Sequence, residues 1–145
     1  MIIPSSETIH ASCVAIDGQA VLIEGMSGGG KSDLALRLID RGAVLVSDDY
    51  TLLLRKDGRL FARPPANLAG KMEVRGIGIL AVPHVEDVPV ALLVVITPMP
   101  PRMPDGGRLR RIAGVAVREI ALPALEPSAP LKVEWALRQG IEAGA

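Results

Sequence analysis

The stretch Gln19-Ala20-Val21-Leu22-Ile23-Glu24-Gly25-Met26-Ser27-Gly28-Gly29-Gly30-Lys31-Ser32-Asp33-Leu34-Ala35-Leu36-Arg37-Leu38-Ile39-Asp40 decides the fold. Its first six residues form a short apolar run, which predicts a strand, while Leu34, Ala35, Leu38 and Ile39 recur at the spacing of a helix with one buried face. Glycines cluster where the strand must turn into the helix. Residues 25–32 fit the pattern G-x-x-x-x-G-K-S, and each position has a physical task. Glycines let consecutive backbone N–H groups curl around phosphate oxygens, the lysine reaches the β and γ phosphates, and the serine hydroxyl ligates magnesium. Gly25, Met26, Ser27, Gly28, Gly29, Gly30, Lys31 and Ser32 are therefore the candidate cradle for ATP or a similar triphosphate, with Ser32 also a candidate metal ligand. The N-terminus of the helix adds partial positive charge beneath it.

Working outward, residues 9–16 are apolar-rich and are joined to residues 19–24 by Asp17-Gly18, a tight-turn dipeptide, so two hairpin-linked strands open the chain. Beyond the helix, Arg41 and Gly42 supply a basic last turn and a glycine stop. Residues 43–46 are continuously apolar and end abruptly in Ser47-Asp48-Asp49, which predicts a central strand feeding a polar loop. A right-handed crossover would return this strand parallel to the first, with its carboxyl end beside the glycine loop. Asp48 and Asp49 then lie near the phosphates, and alternation along a strand predicts that one carboxylate faces the reacting atom. Such a group orients magnesium or takes a proton from an attacking hydroxyl; the bland reading is a pair of turn residues.

Further on, residues 50–54 and 59–62 flank Lys56-Asp57-Gly58 as a second hairpin, and Pro64-Pro65 breaks the pattern. Residues 66–78 are polar and glycine-containing. Residues 79–82, 90–96 and 115–122 read as strands, residues 98–107 as a proline- and glycine-rich loop, and residues 131–139 as a closing helix anchored by Trp135. The sum is an α/β P-loop domain with a mixed β-sheet and flanking helices, occupying residues 1–145 as one unit.

Composition narrows the function classes. Sixteen basic and sixteen acidic side chains cancel, so no net field draws in nucleic acid or anionic lipid, and anion binding must be local. Few aromatics leave Val, Ile, Leu and Ala to build the core. Cys13 is the only cysteine, which excludes an internal disulfide and a cysteine-based metal site and suits a core filler in a reducing compartment. Residues 1–8 lack the basic and apolar regions of a signal peptide, and no apolar run approaches the roughly 20 residues that span a bilayer. A cytoplasmic protein without nucleic-acid or membrane partners is expected.

The run from Gly25 to Asp49 resembles the catalytic domain of HPr kinase/phosphorylase, including its serine, Arg41-Gly42 and Asp48-Asp49 positions. Glu73-Val74-Arg75-Gly76-Ile77-Gly78-Ile79 looks like that family's own signature, and His10 stands at the spacing of its active-site histidine. The resemblance is clear from about residue 10 to the 90–96 strand and looser to the end. It implies a fold akin to phosphoenolpyruvate carboxykinase, ATP on Lys31 and the loop, and magnesium on Ser32 and Glu73. It also implies that Asp49 takes the proton from a serine hydroxyl of the phosphocarrier HPr and returns it in the reverse reaction. Arg102, in Arg102-Met103-Pro104, matches a further catalytic arginine that would steady charge on the transferring group, a role Arg75 could share. His10 would tune Asp49 through a coupled titration; its alternative is a satisfied core histidine.

The departures carry expectations of their own. The chain starts just before His10, so the family's N-terminal domain is expected to be absent. Residues 123–130 hold no arginine where the family has an arginine-rich loop tied to dephosphorylation, which leaves phosphorolysis open. There is little room for the C-terminal elements through which the family engages HPr and forms hexamers, so homo-oligomerisation also stays open. Two other functions compete: an ATP-binding regulatory module signalling through residues 98–107, and a P-loop kinase with a small-molecule acceptor.

Overall fold

A computed structural model describes residues 3–26, 28–100, 102 and 107–142. The two hairpins form as their turn residues dictate. Strand β1 (Ser6–Ile9) precedes β2 (Ala11–Ile16) and β3 (Gln19–Glu24), and Asp17 and Gly18 between the last two have φ of 50° and 77°. Consecutive left-handed residues match the twist of antiparallel strands. Helix α1 (Lys31–Asp40) buries Leu34, Ala35 and Leu38, and β4 (Val44–Ser47) follows. The second hairpin pairs β5 (Thr51–Lys56) with β6 (Arg59–Arg63) across Asp57 and Gly58, which repeat the left-handed pair. After a short turn at Ala66–Leu68 come β7 (Lys71–Val74), β8 (Gly78–Ala81), β9 (Val88–Ile96), β10 (Arg108–Ile112), β11 (Val115–Leu122) and α2 (Ala129–Glu142).

The main sheet is mixed and runs β1-β5-β6-β9-β3-β2-β4. Strand β9 is parallel to β3 on one edge and on the other pairs first with β6 and then with β11, which carries β10. Both faces of its centre are covered. On one face Val14, Val21, Ile23, Leu92 and Val94 pack with Leu34 and Leu38 of α1 and Val133 and Leu137 of α2. On the other, Cys13, Leu22 and Leu93 pack with Leu53, Leu60 and Val117. Such two-sided burial explains the continuous apolar runs of β3 and β9. No helix among the described residues is long and apolar enough to cross a membrane.

Four expectations need correction. The apolar run 9–16 is not one strand: it breaks at His10, because β1 pairs with β5 whereas β2 pairs with β3 and β4. Strand β4 is parallel to β3 but not beside it. Strand β2 lies between them, so β4 ends the sheet, with His84 and Val85 on its outer side. The polar stretch around 71–74 is a strand, β7, in a separate ribbon with β8, and residues 108–112, for which the sequence pattern predicts no element, form β10 in a hairpin with β11. Finally, Trp135 does not anchor α2: it is 69% exposed, with the Arg138 guanidinium 5.8 Å from its ring centre, while Ala129, Val133 and Leu137 make the buried stripe at i, i+4, i+8.

Candidate active site at the glycine loop

The antiparallel placement of β2 between two parallel strands gathers the site. The end of β3, the start of β2 and the end of β4 share one edge of the sheet, as the pairs Ala11 with Glu24 and Cys13 with Ser47 require. The glycine loop, His10 and the acidic pair therefore converge there. Gly30 caps α1 with φ of 101°, and its carbonyl accepts the Leu34 N–H at 2.9 Å. A Cβ there would stand 3.0 Å from the Ala124 Cβ, so a side chain at this left-handed position is strained and also needs Ala124 to give way. Ser27 lies outside the described residues. Lys31 is buried, its Nζ donating to the Gly25 carbonyl at 3.2 Å and standing 3.7 Å from Asp49 Oδ1.

The two aspartates do different things. Asp48 is buried, and its Oδ1 accepts hydrogen bonds from Ser32 Oγ at 2.7 Å and Ser12 Oγ at 3.1 Å, while its Oδ2 accepts the Glu73 N–H at 3.0 Å. It ties α1, β2 and β7 together. Asp49 adopts φ of 68° and so leaves the extended path of β4. Its carboxylate is half exposed and lies 2.8 Å from His10 Nε2. The His10 ring is stacked on Tyr50 at 4.8 Å between centroids, so the imidazole is held on its face as well as its edge.

A cavity of about 520 Å³ opens over these groups, its walls including Lys31, Ser32, Asp49, Glu73, Arg75 and Leu125. Glu73 is on the exposed face of β7, opposite the buried Met72. Arg102 is exposed and does not line the cavity; half of its loop, residues 101 and 103–106, lies outside the described residues. Leu125 belongs to the 123–130 segment, whose carbonyls at Ala124 and Glu126 accept hydrogen bonds from the Arg37 guanidinium of α1. The segment read as a missing arginine-rich loop is thus a wall of the cavity. Ser32, Glu73 and the Asp48 carboxylate behind Ser32 present hard oxygen donors, which suit magnesium shared with phosphate.

Sequence reasoning missed Ser12 and Tyr50. A wholly buried serine among Ala11, Cys13 and Val14 reads as small filler, and only its place two residues after His10 hinted at the site. Cys13, by contrast, is core as expected, and burial pushes its thiol well above the usual range.

Fold and site together define an α/β domain with a polar cavity at a glycine-rich strand-to-helix loop. The chain matches the family described as "HPr Serine kinase C-terminal domain" over residues 2–86. It is 36% identical to an HPr kinase/phosphorylase of Clostridium tetani over 127 residues, covering 79% of this chain and 42% of that protein. It is 35% identical to one of Lactiplantibacillus plantarum over 130 residues, covering 81% and 41%. The chain thus spans well under half the length of these relatives. The solved structure of the Hpr(Ser) kinase/phosphatase from Coxiella burnetii superposes with a TM-score of 0.81 at 32% identity, covering 94% of this chain and 97% of that one. The chain belongs to the HPr serine kinase C-terminal domain family.

Proposed function

We propose that this chain is an ATP-dependent, cytoplasmic serine kinase whose acceptor is an HPr-type phosphocarrier protein. The observation that carries this reading is the meeting of Lys31 Nζ and His10 Nε2 on one oxygen of Asp49, at 3.7 and 2.8 Å, beside the glycine loop. A nucleotide receptor needs the cradle but not a half-exposed carboxylate flanked by an imidazole and a lysine. That asymmetry favours the kinase over a regulatory module.

In this mechanism the loop N–H groups and Lys31 bind the terminal phosphates and favour charge spread over the transferring group. Ser32 and Glu73 would hold magnesium, which when bound neutralises charge on the phosphate oxygens. Asp49 accepts the proton of the attacking serine hydroxyl as the new oxygen–phosphorus bond forms and the bond to ADP breaks. His10 keeps the Asp49 carboxylate turned toward the cavity. Arg75, which lines the cavity, is better placed than Arg102 to steady the transferring group. In phosphorolysis an oxygen of inorganic phosphate would attack the phosphoserine phosphorus, the bond to the serine oxygen would break as protonated Asp49 gives that oxygen its proton, and pyrophosphate would leave.

The test is incorporation of labelled γ-phosphate from ATP into HPr, with the modified residue located. Serine phosphorylation that Asp49→Asn abolishes while nucleotide affinity persists supports the reading. Undiminished transfer by that variant removes Asp49 as base, and binding of ATP with no transfer to any carrier favours the regulatory module.

A further inference from the structure

We propose that Ser12 is a positioning residue for phosphoryl transfer, acting through Asp49; the proposal rests on the reading of Asp49 as the base. Ser12 is wholly buried in β2, and its hydroxyl both donates and accepts a hydrogen bond. A serine has one O–H proton, and here it goes to Asp48 Oδ1 at 3.1 Å. The oxygen is then left to accept the Asp49 N–H at 3.0 Å. That hydrogen bond helps fix the backbone of a residue with φ of 68°, a left-handed conformation open to aspartate but held at this one place by its contacts.

The carboxylate of Asp49 leaves from this fixed backbone point, so its direction into the cavity depends on the Ser12 oxygen. The same hydroxyl links the base to the phosphate loop. Ser32 Oγ bonds Asp48 Oδ1 at 2.7 Å, Asp48 Oδ1 bonds Ser12 Oγ, and Ser12 Oγ bonds the Asp49 backbone. Three buried or half-buried groups thus set the distance between the loop serine and the proposed base. Val14, the next residue on the same face of β2, is buried and apolar, so packing alone would not demand a hydroxyl at position 12.

The experiment uses the full chain as wild type, Ser12→Ala, Ser12→Thr, Asp49→Asn and the Ser12→Ala/Asp49→Asn double variant. Transfer from labelled ATP to HPr is measured at a temperature where circular dichroism shows each variant folded. Misplacing a base lowers turnover more than substrate binding, so Ser12→Ala should lose roughly tenfold or more in kcat with the KM for ATP within about twofold. Ser12→Thr, which keeps the hydroxyl, should recover most of the loss, and the double variant should be no slower than Asp49→Asn. Amide hydrogen exchange gives a second readout independent of turnover: the Asp49 N–H should lose protection in Ser12→Ala while the β2 and β3 amides keep theirs. Wild-type kcat and an unchanged Asp49 amide in folded Ser12→Ala, with Asp49→Asn inactive, would overturn the role of Ser12 and leave the base standing. Undiminished transfer by Asp49→Asn would overturn both.

Discussion

Replacing Asp48 by asparagine isolates the buried hub of the site. The native carboxylate is 7% exposed and accepts three hydrogen bonds, two at Oδ1 and one at Oδ2. Asparagine keeps the shape, and its amide oxygen can serve Ser12 and Ser32, but its NH₂ then faces the Glu73 N–H, donor against donor. Hydrogen bonds to a charged group contribute about 1.5–3 kcal/mol and neutral ones about 1, so weakening two and losing one costs about 4 kcal/mol. Against this, a neutral amide is cheaper to bury than a carboxylate by an amount on the order of 2 kcal/mol. The net expectation is a loss of about 2 kcal/mol. With a urea slope of about 2 kcal/mol/M for a chain of this size, the midpoint should fall by about 1 M. Far-UV circular dichroism is the suitable probe, because Trp135 is already exposed in the folded state and reports little. An unchanged or higher midpoint would show that desolvation outweighs the three hydrogen bonds, and the hub account would fail.

Other consequences are separable. Gly30→Ala places a Cβ 3.0 Å from Ala124 at φ of 101°, so it should destabilise by about 2 kcal/mol and weaken binding of a non-hydrolysable ATP analogue; wild-type values in urea melts and calorimetric titration would refute this. Trp135→Ala should change stability by no more than about 0.5 kcal/mol, whereas Leu137→Ala, which empties a buried site on α2, should cost about 2–4 kcal/mol in the same melts, and the reverse order would misplace the buried face of α2. The Cys13 thiol, raised by burial, should resist a thiol reagent at pH 8 and react only as the chain unfolds, so rapid native labelling would contradict its place in the core.

Local chemistry made much of the fold legible. Asp17-Gly18 and Asp57-Gly58 announced their hairpins because few other residue pairs accept two left-handed conformations in succession, and the apolar spacing of Leu34, Ala35 and Leu38 announced α1. What stayed hidden depended on pairing at a distance. Nothing in residues 9–16 marks the change of partner strand at His10, and nothing in residues 43–46 says that β2 will lie between β4 and β3. Strands β7 and β10 are polar because one or both faces meet solvent, which removes the apolar signal. The strand-to-helix setting of the glycine loop was readable from its spacing. That one carboxylate of the aspartate pair faces the cavity was legible, whereas the buried role of Asp48 was not, because its partners lie 16, 25 and 36 residues away. Ser12 was unreadable because its partners lie 36 and 37 residues away.

A crystal structure of the chain with magnesium and a non-hydrolysable ATP analogue bears most directly on the catalytic reading. The account predicts the terminal phosphate cupped by residues 25–32, touching Lys31 Nζ, with the Asp49 carboxylate on its open side where a serine oxygen would approach. A triphosphate seated elsewhere, or an Asp49 carboxylate turned out of the cavity beyond the reach of any rotamer, would contradict it.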